Sequence, residues 1–338
     1  MPDDQPNGAV SAASFPLSRH DRSIGRSLRA GTRGSPLALV QTRHVVALAQ
    51  AFCAQHRRAE VFEEHIIKTT GDAVQDRPLS EIGGKGLFAK EIHESLLAGR
   101  IDFAVHSLKD LETALPPGIV LACTLAREDA RDTLILGPDC AQPDARYPYA
   151  ALPRGALVGT SSVRRQAQLL YARPDLRTGL LRGNVQTRLS KVRGGEVSAS
   201  LLALAGLNRL GLAHEAGVLL DPETMVPSAC QGIVGVTARA DDADLLTLLA
   251  AIEDQGARAA ALAERALLAA LDGSCRTPIA GYAKLLRDDV MQLTGLAARA
   301  DGTFLLKRSM KARIADAEAL GRELGRSIRA DSPPDIFA

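Results

Sequence analysis

Apolar residues recur in short blocks, each closed by a polar or glycine-bearing turn, and many blocks run on into helical periodicity. Leu28 to Gly31 reads as a short strand. It passes through the turn Thr32-Arg33-Gly34-Ser35 into an apolar helical pattern reaching about Gln55. Pro36 suits the first turn of that helix, where a missing N–H costs nothing. Glu60 to Lys68 alternates in strand fashion around Val61, Ile66 and Ile67. A helix is expected from about Phe88 to Ala98, and strands at 101–105, 119–125, 133–136, 156–158, 179–181, 199–205 and 233–236. Helical stretches follow Ser162, cover 185–192 and span 241–252, so most of the chain alternates strand and helix as α/β proteins do. The last region differs. A helix over 257–271 breaks at 272–278, strands follow at 278–285, 290–298 and 303–310, and a helix covers 316–329. That is a small α+β unit. Residues 127–132 read as a crossing point between lobes, 222–227 as a linker, and the Pro-, Ser- and Asp-rich stretch 1–27 as a disordered extension.

The turns carry the chemistry. Gly159-Thr160-Ser161-Ser162 follows one strand and Arg182-Gly183-Asn184 follows another, each just before a helix. Such a turn offers free backbone N–H groups and the positive end of a helix dipole, a setting for phosphate or carboxylate. Two neighbouring strand ends of this kind would aim Arg164, Arg165, Arg182 and Arg188 at one crevice. The arginine fork can grip both oxygens of a carboxylate. Arg33 and Ser35 sit at a third such turn, where Ser35 reads also as a simple helix cap. The strand at 101–105 ends in His106-Ser107-Leu108-Lys109-Asp110. There Asp110 reads equally as a turn or ion-pair residue and as an acid poised over a substrate. Lys85 rides on a glycine-rich loop, Gly83-Gly84-Lys85-Gly86, that lacks P-loop spacing. Cys275 stands on a loop of small residues beside Arg276, a cation that favours the nucleophilic thiolate.

Charge sharpens this picture. Residues 159–193 hold eight basic side chains and one acid, Asp175, while the 338-residue chain carries only +2. Such a concentration calls for an anionic partner. Arg173, Arg177 and Arg193 read as a solvated basic helix face. Tyr171 is the only aromatic residue in this window, and no helix-turn-helix, finger or RNA-binding signature appears, so a small polyanion outranks nucleic acid. With 46% hydrophobic and 24% charged residues the composition is that of an ordinary globular protein. No apolar stretch reads as a membrane span, and residues 1–27 lack the apolar core of a secretory signal. Five scattered cysteines and seven dispersed histidines fit a reducing cytoplasm and suggest no metal site. A non-catalytic anion-binding module of periplasmic type would explain the arginines but would leave Asp110 and Cys275 idle.

Seven ordered stretches complete the reading: TRGSPLAL (32–39), GGKGLF (83–88), AVHSLKD (104–110), VGTSSVRRQ (158–166), LRGNVQTRL (181–189), AGLNRLG (205–211) and GSCRTPIAG (273–281). Together they resemble the porphobilinogen deaminase (hydroxymethylbilane synthase) family, from Leu28 to about Glu323. The resemblance implies two α/β domains like those of periplasmic binding proteins, at 28–127 plus 233–250 and at 131–226, and a C-terminal α+β domain at 255–338. It implies a transferase that couples four porphobilinogen molecules head to tail, releases ammonia and yields hydroxymethylbilane for haem biosynthesis. The implied primer is a dipyrromethane cofactor held through a thioether by Cys275. Asp110 matches the catalytic aspartate, with Lys109 beside it. Arg33, Ser35, Lys109, Thr160, Ser161, Ser162, Arg164, Arg165, Arg182 and Arg188 would hold the cofactor. Arg33, Arg182, Arg188, Arg209, Gln41 and Gln231 would hold substrate, and Lys85 would belong to a lid. The implied partners are porphobilinogen and oligopyrrole intermediates, with no metal, nucleic acid or membrane, and the chain is expected to be a cytoplasmic monomer. It departs from the common family pattern at Leu111-Glu112, Ser198, Cys230 and Ser274.

Overall fold

A computed structural model describes residues 27–56, 60–73, 86–144, 146–272 and 277–337. The expectations for residues 1–26, Lys85 and Cys275 lie outside the described residues. In chain order the first elements are β1 (Ser27–Thr32), α1 (Pro36–Gln55), β2 (Val61–Ile66), α2 (Thr70–Ala73), α3 (Lys90–Leu97), β3 (Phe103–Ser107) and β4 (Ile119–Thr124). Next come β5 (Asp132–Leu136), β6 (Leu157–Gly159), α4 (Val163–Ala172), β7 (Arg177–Gly179), α5 (Val185–Arg193), β8 (Ala199–Ala203), α6 (Leu204–Arg209) and β9 (Val218–Leu220). The chain finishes with β10 (Val234–Arg239), α7 (Ala243–Ala250), α8 (Gln255–Ala270), β11 (Ile279–Leu285), β12 (Val290–Ala298), β13 (Leu305–Arg313) and α9 (Ala317–Ala330).

Two five-stranded mixed sheets and one three-stranded antiparallel sheet result, in the orders β2-β1-β3-β10-β4, β7-β6-β8-β5-β9 and β11-β12-β13. In the first sheet β1 runs parallel to β2 and β3, and β10 is antiparallel to both its neighbours. In the second, β6 runs parallel to β7 and β8, and β5 is antiparallel to both its neighbours. Each sheet therefore contains one antiparallel strand reached by a crossing. The chain leaves the first sheet after β4, enters the second at β5, and returns after β9 into β10. The turns after β1, β3 and β6 face the cleft between the sheets, where an α/β architecture holds its ligands.

Burial explains the elements. Phe103 and Val105 of β3 are buried with Leu28, Val45, Cys53 and Val236 in one core. Among the described helices, α1 alone has the length and composition of a membrane span, contrary to the reading that no stretch does. In this fold Val45, Ala49 and Cys53 form a buried face of α1, and Val45 and Cys53 join the core of the first sheet. The third layer packs α8 and α9 against its sheet. Gly321 makes that helix pair close, because a Cβ there would sit 2.1 Å from the Ala263 carbonyl oxygen. Leu108 and Leu111 share a core with Ala260 and Leu267, tying this layer to the first lobe. Ala167 and Val226 share another with Ala280 and Leu296, tying it to the second.

Three expectations shift. The strand expected at 199–205 stops at Ala203, and Leu204 opens α6, its N–H donating to Arg131 O instead of extending the ladder. The strand expected at 179–181 lies two residues earlier, because Leu181 is drawn into a core with Leu189 and Val192. Arg177 is consequently an exposed strand residue, not part of a helix face, and its Nε donates to Gly155 O. The short strand Val218–Leu220 had no distinct signal in the sequence, being three residues long.

Candidate active site

A cavity of about 1910 Å³ opens between the two mixed sheets and reaches the third layer. Nine basic and four acidic residues line it, and Phe88 and Phe337 are its only aromatic residues among those described. Three helix N-termini point at it. Ser35 caps α1 by accepting from Ala38 N–H (3.3 Å), Ser162 caps α4 by accepting from Arg165 N–H (3.4 Å), and Asn184 caps α5 by accepting from Thr187 N–H (2.9 Å). Ser35 and Ser162 thus act on their helices. Ser161, between the capped turn and the cavity, makes no hydrogen bond among the described residues. Thr160 does not line the cavity. It is buried, and its Oγ1 accepts from Ser162 N–H (3.1 Å), which places it inside the turn behind Ser161.

The arginines separate into two groups. Arg164 and Arg165 are buried and bind inside the protein. Arg164 donates to Asp132 Oδ2 (2.7 Å) and Val226 O (2.7 Å), and Arg165 to Asp132 Oδ1 (2.8 Å) and Leu201 O (2.8 Å). Burial alone would raise the Asp132 carboxyl pKa. The two guanidiniums override it and hold the group well below the ordinary carboxylate range. Both arginines border the cavity and share Asp132 as their carboxylate partner. Arg182, Arg188 and Arg209 form the other group, with Lys191, which pairs with Glu196 (3.6 Å), beside them. Arg188 spends only its Nε on Gly183 O (2.9 Å), and burial together with Arg165 and Arg182 lowers its pKa to about 10. A cation crowded by cations is one that gains from an arriving carboxylate. Arg209 donates one bond to Gly232 O (2.6 Å). Of the remaining arginines of the basic window, Arg173 joins Asp175 and the carbonyls of Tyr149 and Leu152, and Arg193 pairs with Glu215.

Across the cleft, Arg33 lies with its guanidinium 4.1 Å from the centre of the Phe88 ring. Its Nε and Nη2 donate to Asp72, which also accepts from Thr69 Oγ1 (2.7 Å). Neither Asp72 nor Phe88 stood out in the sequence. A carboxylate two residues after a strand-ending Thr-Thr and an aromatic beside a Gly-rich loop were the available signals.

Asp110 sits at the end of a single 3-10 turn, Leu108–Asp110, directly after β3. Its carboxylate is exposed to the cavity and takes no hydrogen bond from a described residue, while its charge acts on both Lys109 and Arg188. Lys109 Nζ donates to Gln231 Oε1 (3.2 Å). Water in the cleft reaches Lys109, yet protein surrounds it closely, and this burial, with Arg165 and Arg164 adding to it against the pull of Asp110, lowers its ammonium to about 8. Gln231 itself is buried at the cavity wall. Its Nε2 donates to Asp132 Oδ1 (2.9 Å) and Ala130 O (2.7 Å), and its Oε1 supports Lys109. Gln41 is likewise buried and exchanges its amide bonds with Ser107 Oγ. Both line the cavity, where substrate is expected, with their amides already engaged by these neighbours. His106 is neutral, its pKa lowered to about 3 by burial and by His93, and Thr237 Oγ1 lies 2.9 Å from its Nε2.

The donor set fits a bound chain of carboxylate-bearing rings: cations on both lips, three helix N-termini, and one carboxylate among them, Asp110, that takes no hydrogen bond from a described residue. Asp272 and Thr277, the described residues flanking 273–276, both line the cavity. At Cys230, one of the departures, φ is +61°, a conformation glycine holds freely, and its N–H donates to Glu264 Oε2. Burial raises its thiol to about 12, so it is no nucleophile. Ser198, another departure, donates its hydroxyl to Asp139 Oδ2 (2.7 Å).

Two family models match the chain. "Porphobilinogen deaminase, dipyromethane cofactor binding domain" covers residues 28–247, and "Porphobilinogen deaminase, C-terminal domain" covers 258–330. A porphobilinogen deaminase of Paracoccus denitrificans is 47% identical over 310 residues, 92% of this chain and 96% of the relative. The chloroplastic porphobilinogen deaminase of Oryza sativa subsp. japonica is 44% identical over 316 residues, 92% of this chain and 85% of the relative. A periplasmic sulfonate-binding protein from Methylobacillus flagellatus aligns in part, with TM-score 0.38 and 14% identity over 71% of this chain and 68% of that one.

Proposed function

The chain belongs to the porphobilinogen deaminase family, and from that premise we propose how its own residues carry the activity. The activity is that of a hydroxymethylbilane synthase, a transferase of tetrapyrrole biosynthesis with a dipyrromethane cofactor. Cys275 is the residue we assign to the thioether, on the loop between Asp272 and Thr277. The cofactor, when bound, supplies the free pyrrole carbon to which the first substrate is joined.

Asp110 is the catalytic carboxylate. The observation that carries this is its position: unpartnered, open to the cavity, and within the field of Lys109 and Arg188. Loss of ammonia from porphobilinogen leaves a cation on the substrate, and a carboxylate aimed at it stabilises that charge. The same carboxylate can take up the proton released when the new carbon–carbon bond restores the ring. Lys109 and the cations Arg33, Arg182, Arg188 and Arg209 hold acetate and propionate groups, and Ser161 adds a hydroxyl. Arg164 and Arg165 set the shape of the turn that carries Ser161. We divide the chain at 28–127 plus 233–250, 131–226 and 255–338. Four free cysteines among the described residues support a reducing compartment such as the cytoplasm.

The test is intact mass of the denatured protein with peptide mapping. An adduct of two linked pyrroles on the Cys275 peptide is expected, absent from Cys275→Ser. A Cys275 thiol that stays free after incubation with porphobilinogen overturns the assignment. Asp110→Asn should load the cofactor and lose turnover by 100-fold or more; full turnover would remove Asp110 from the mechanism.

A further inference from the structure

We propose that Arg265 is a positioning residue for Asp110: from α8 it fixes the backbone that follows the catalytic turn, and so holds the carboxylate in register with the third layer. This rests on the reading of Asp110 given above. The 3-10 turn Leu108–Asp110 ends with Leu111 N–H donating to Leu108 O (3.1 Å), and no helix or strand follows it. The next three carbonyls point away from the turn without a ladder to receive them. One guanidinium takes all three. Arg265 Nη2 donates to Glu112 O (2.5 Å) and Thr113 O (3.0 Å), and Nη1 to Leu111 O (3.4 Å). Among the described residues no carboxylate pairs with Arg265, so its half-buried charge faces these carbonyl dipoles alone.

The helix that carries Arg265 makes the grip consequential. Leu268 and Ala269, one turn further on, line the cavity, and the chain reaches Cys275 five residues after Ala270. The preceding residue, Glu264, is fully buried. It accepts from Arg127 Nη1 (2.6 Å) on the first crossing, from Cys230 N–H on the second, and from Ala283 N–H (2.6 Å) in β11. Two consecutive side chains of α8 therefore hold both crossings and the Asp110 segment on one rigid element. Leu111, buried in the core shared with α8, anchors the same segment from the apolar side.

The experiment compares holoenzymes carrying Arg265→Met and Arg265→Lys with the parent, each checked for cofactor load by intact mass. Misplacing a reacting group by about an ångström costs roughly 100-fold. Arg265→Met should lower kcat by roughly 10- to 100-fold, with KM changed less than threefold. Arg265→Lys keeps donors for the carbonyls and should recover most of the lost kcat. In an Asp110→Asn background Arg265→Met should add little, because the two act through one group. The inference is overturned if loaded Arg265→Met turns over within twofold of the parent, if lysine is no better than methionine, or if the two losses multiply. Should Arg265→Met not fold, Arg265→Lys against Arg265→Gln supplies the same comparison. Full turnover in Asp110→Asn alone would instead overturn the catalytic reading.

Discussion

Asp132→Asn is expected to destabilise the fold severely while leaving the list of cavity cations untouched. Asp132 opens β5 and is fully buried. Its carboxylate accepts from Arg164 Nη2 (2.7 Å), Arg165 Nη2 (2.8 Å) and Nε (3.2 Å), and Gln231 Nε2 (2.9 Å). Asparagine keeps one acceptor, turns an NH₂ toward donors, and removes the counter-charge of two arginines whose side chains are only 6% and 8% exposed. Removing one partner of a buried pair costs about 3–5 kcal/mol, and here one carboxylate serves two cations, which places the cost at the upper end. At about 2–4 °C per kcal/mol for a large domain, melting should fall by on the order of 10 °C or more. The acid side gives an independent check. The folded carboxyl is held below its unfolded value, so its stabilisation is complete above about pH 4 and is lost as the pH falls toward the folded value. The gap between parent and variant should therefore narrow below pH 4 by about 1.4 kcal/mol per unit. Thermal unfolding followed by circular dichroism between pH 3 and 8 reads both effects. A neutral-pH shift under about 2 °C, or a gap that does not narrow in acid, would refute the assignment of Arg164 and Arg165 to Asp132.

Two further outcomes follow from the same geometry. With its ammonium lowered to about 8, Lys109 is charged below that pH and neutral above it, so kcat/KM should decline above about pH 8. Lys109→Arg should move that decline beyond pH 10, and an unmoved profile would exclude Lys109 as its source. Gly232→Ala should cost on the order of 3 kcal/mol, since φ is +88° and a Cβ would lie 2.3 Å from the Glu128 carbonyl oxygen on the other crossing. Retention of the parental melting temperature would show that the two crossings can separate.

The hydrophobic pattern carried most of the fold, because the central strands β3, β5, β8 and β10 are nearly continuous buried runs. The three third-layer strands lie close to where the pattern put them, with β12 at Val290–Ala298 and β13 reaching three residues further to Arg313. The strand-to-helix turns were legible for the same reason: Ser35, Ser162 and Asn184 are capping residues in front of apolar periodicity. What the pattern did not reveal is which cations are already neutralised. Arg164 and Arg188 look alike in sequence, each in the helix that follows a polar turn. The carboxylate that claims Arg164 lies 32 residues upstream, in the run Arg127 to Asp132, where alternating charges imitate a solvated surface. Only burial separates the two cases. Asp132 is the first residue of a strand that runs on into the apolar Leu134 to Leu136, and an acid in that place must find a cation or lose its charge. The same logic explains Gln231 and Arg265, whose partners include backbone carbonyls that no sequence pattern marks. A site built by three layers is thus written in two scripts. The groups that meet the ligand sit at predictable turns, and the groups that hold them in place are fixed by contacts between segments far apart in the chain.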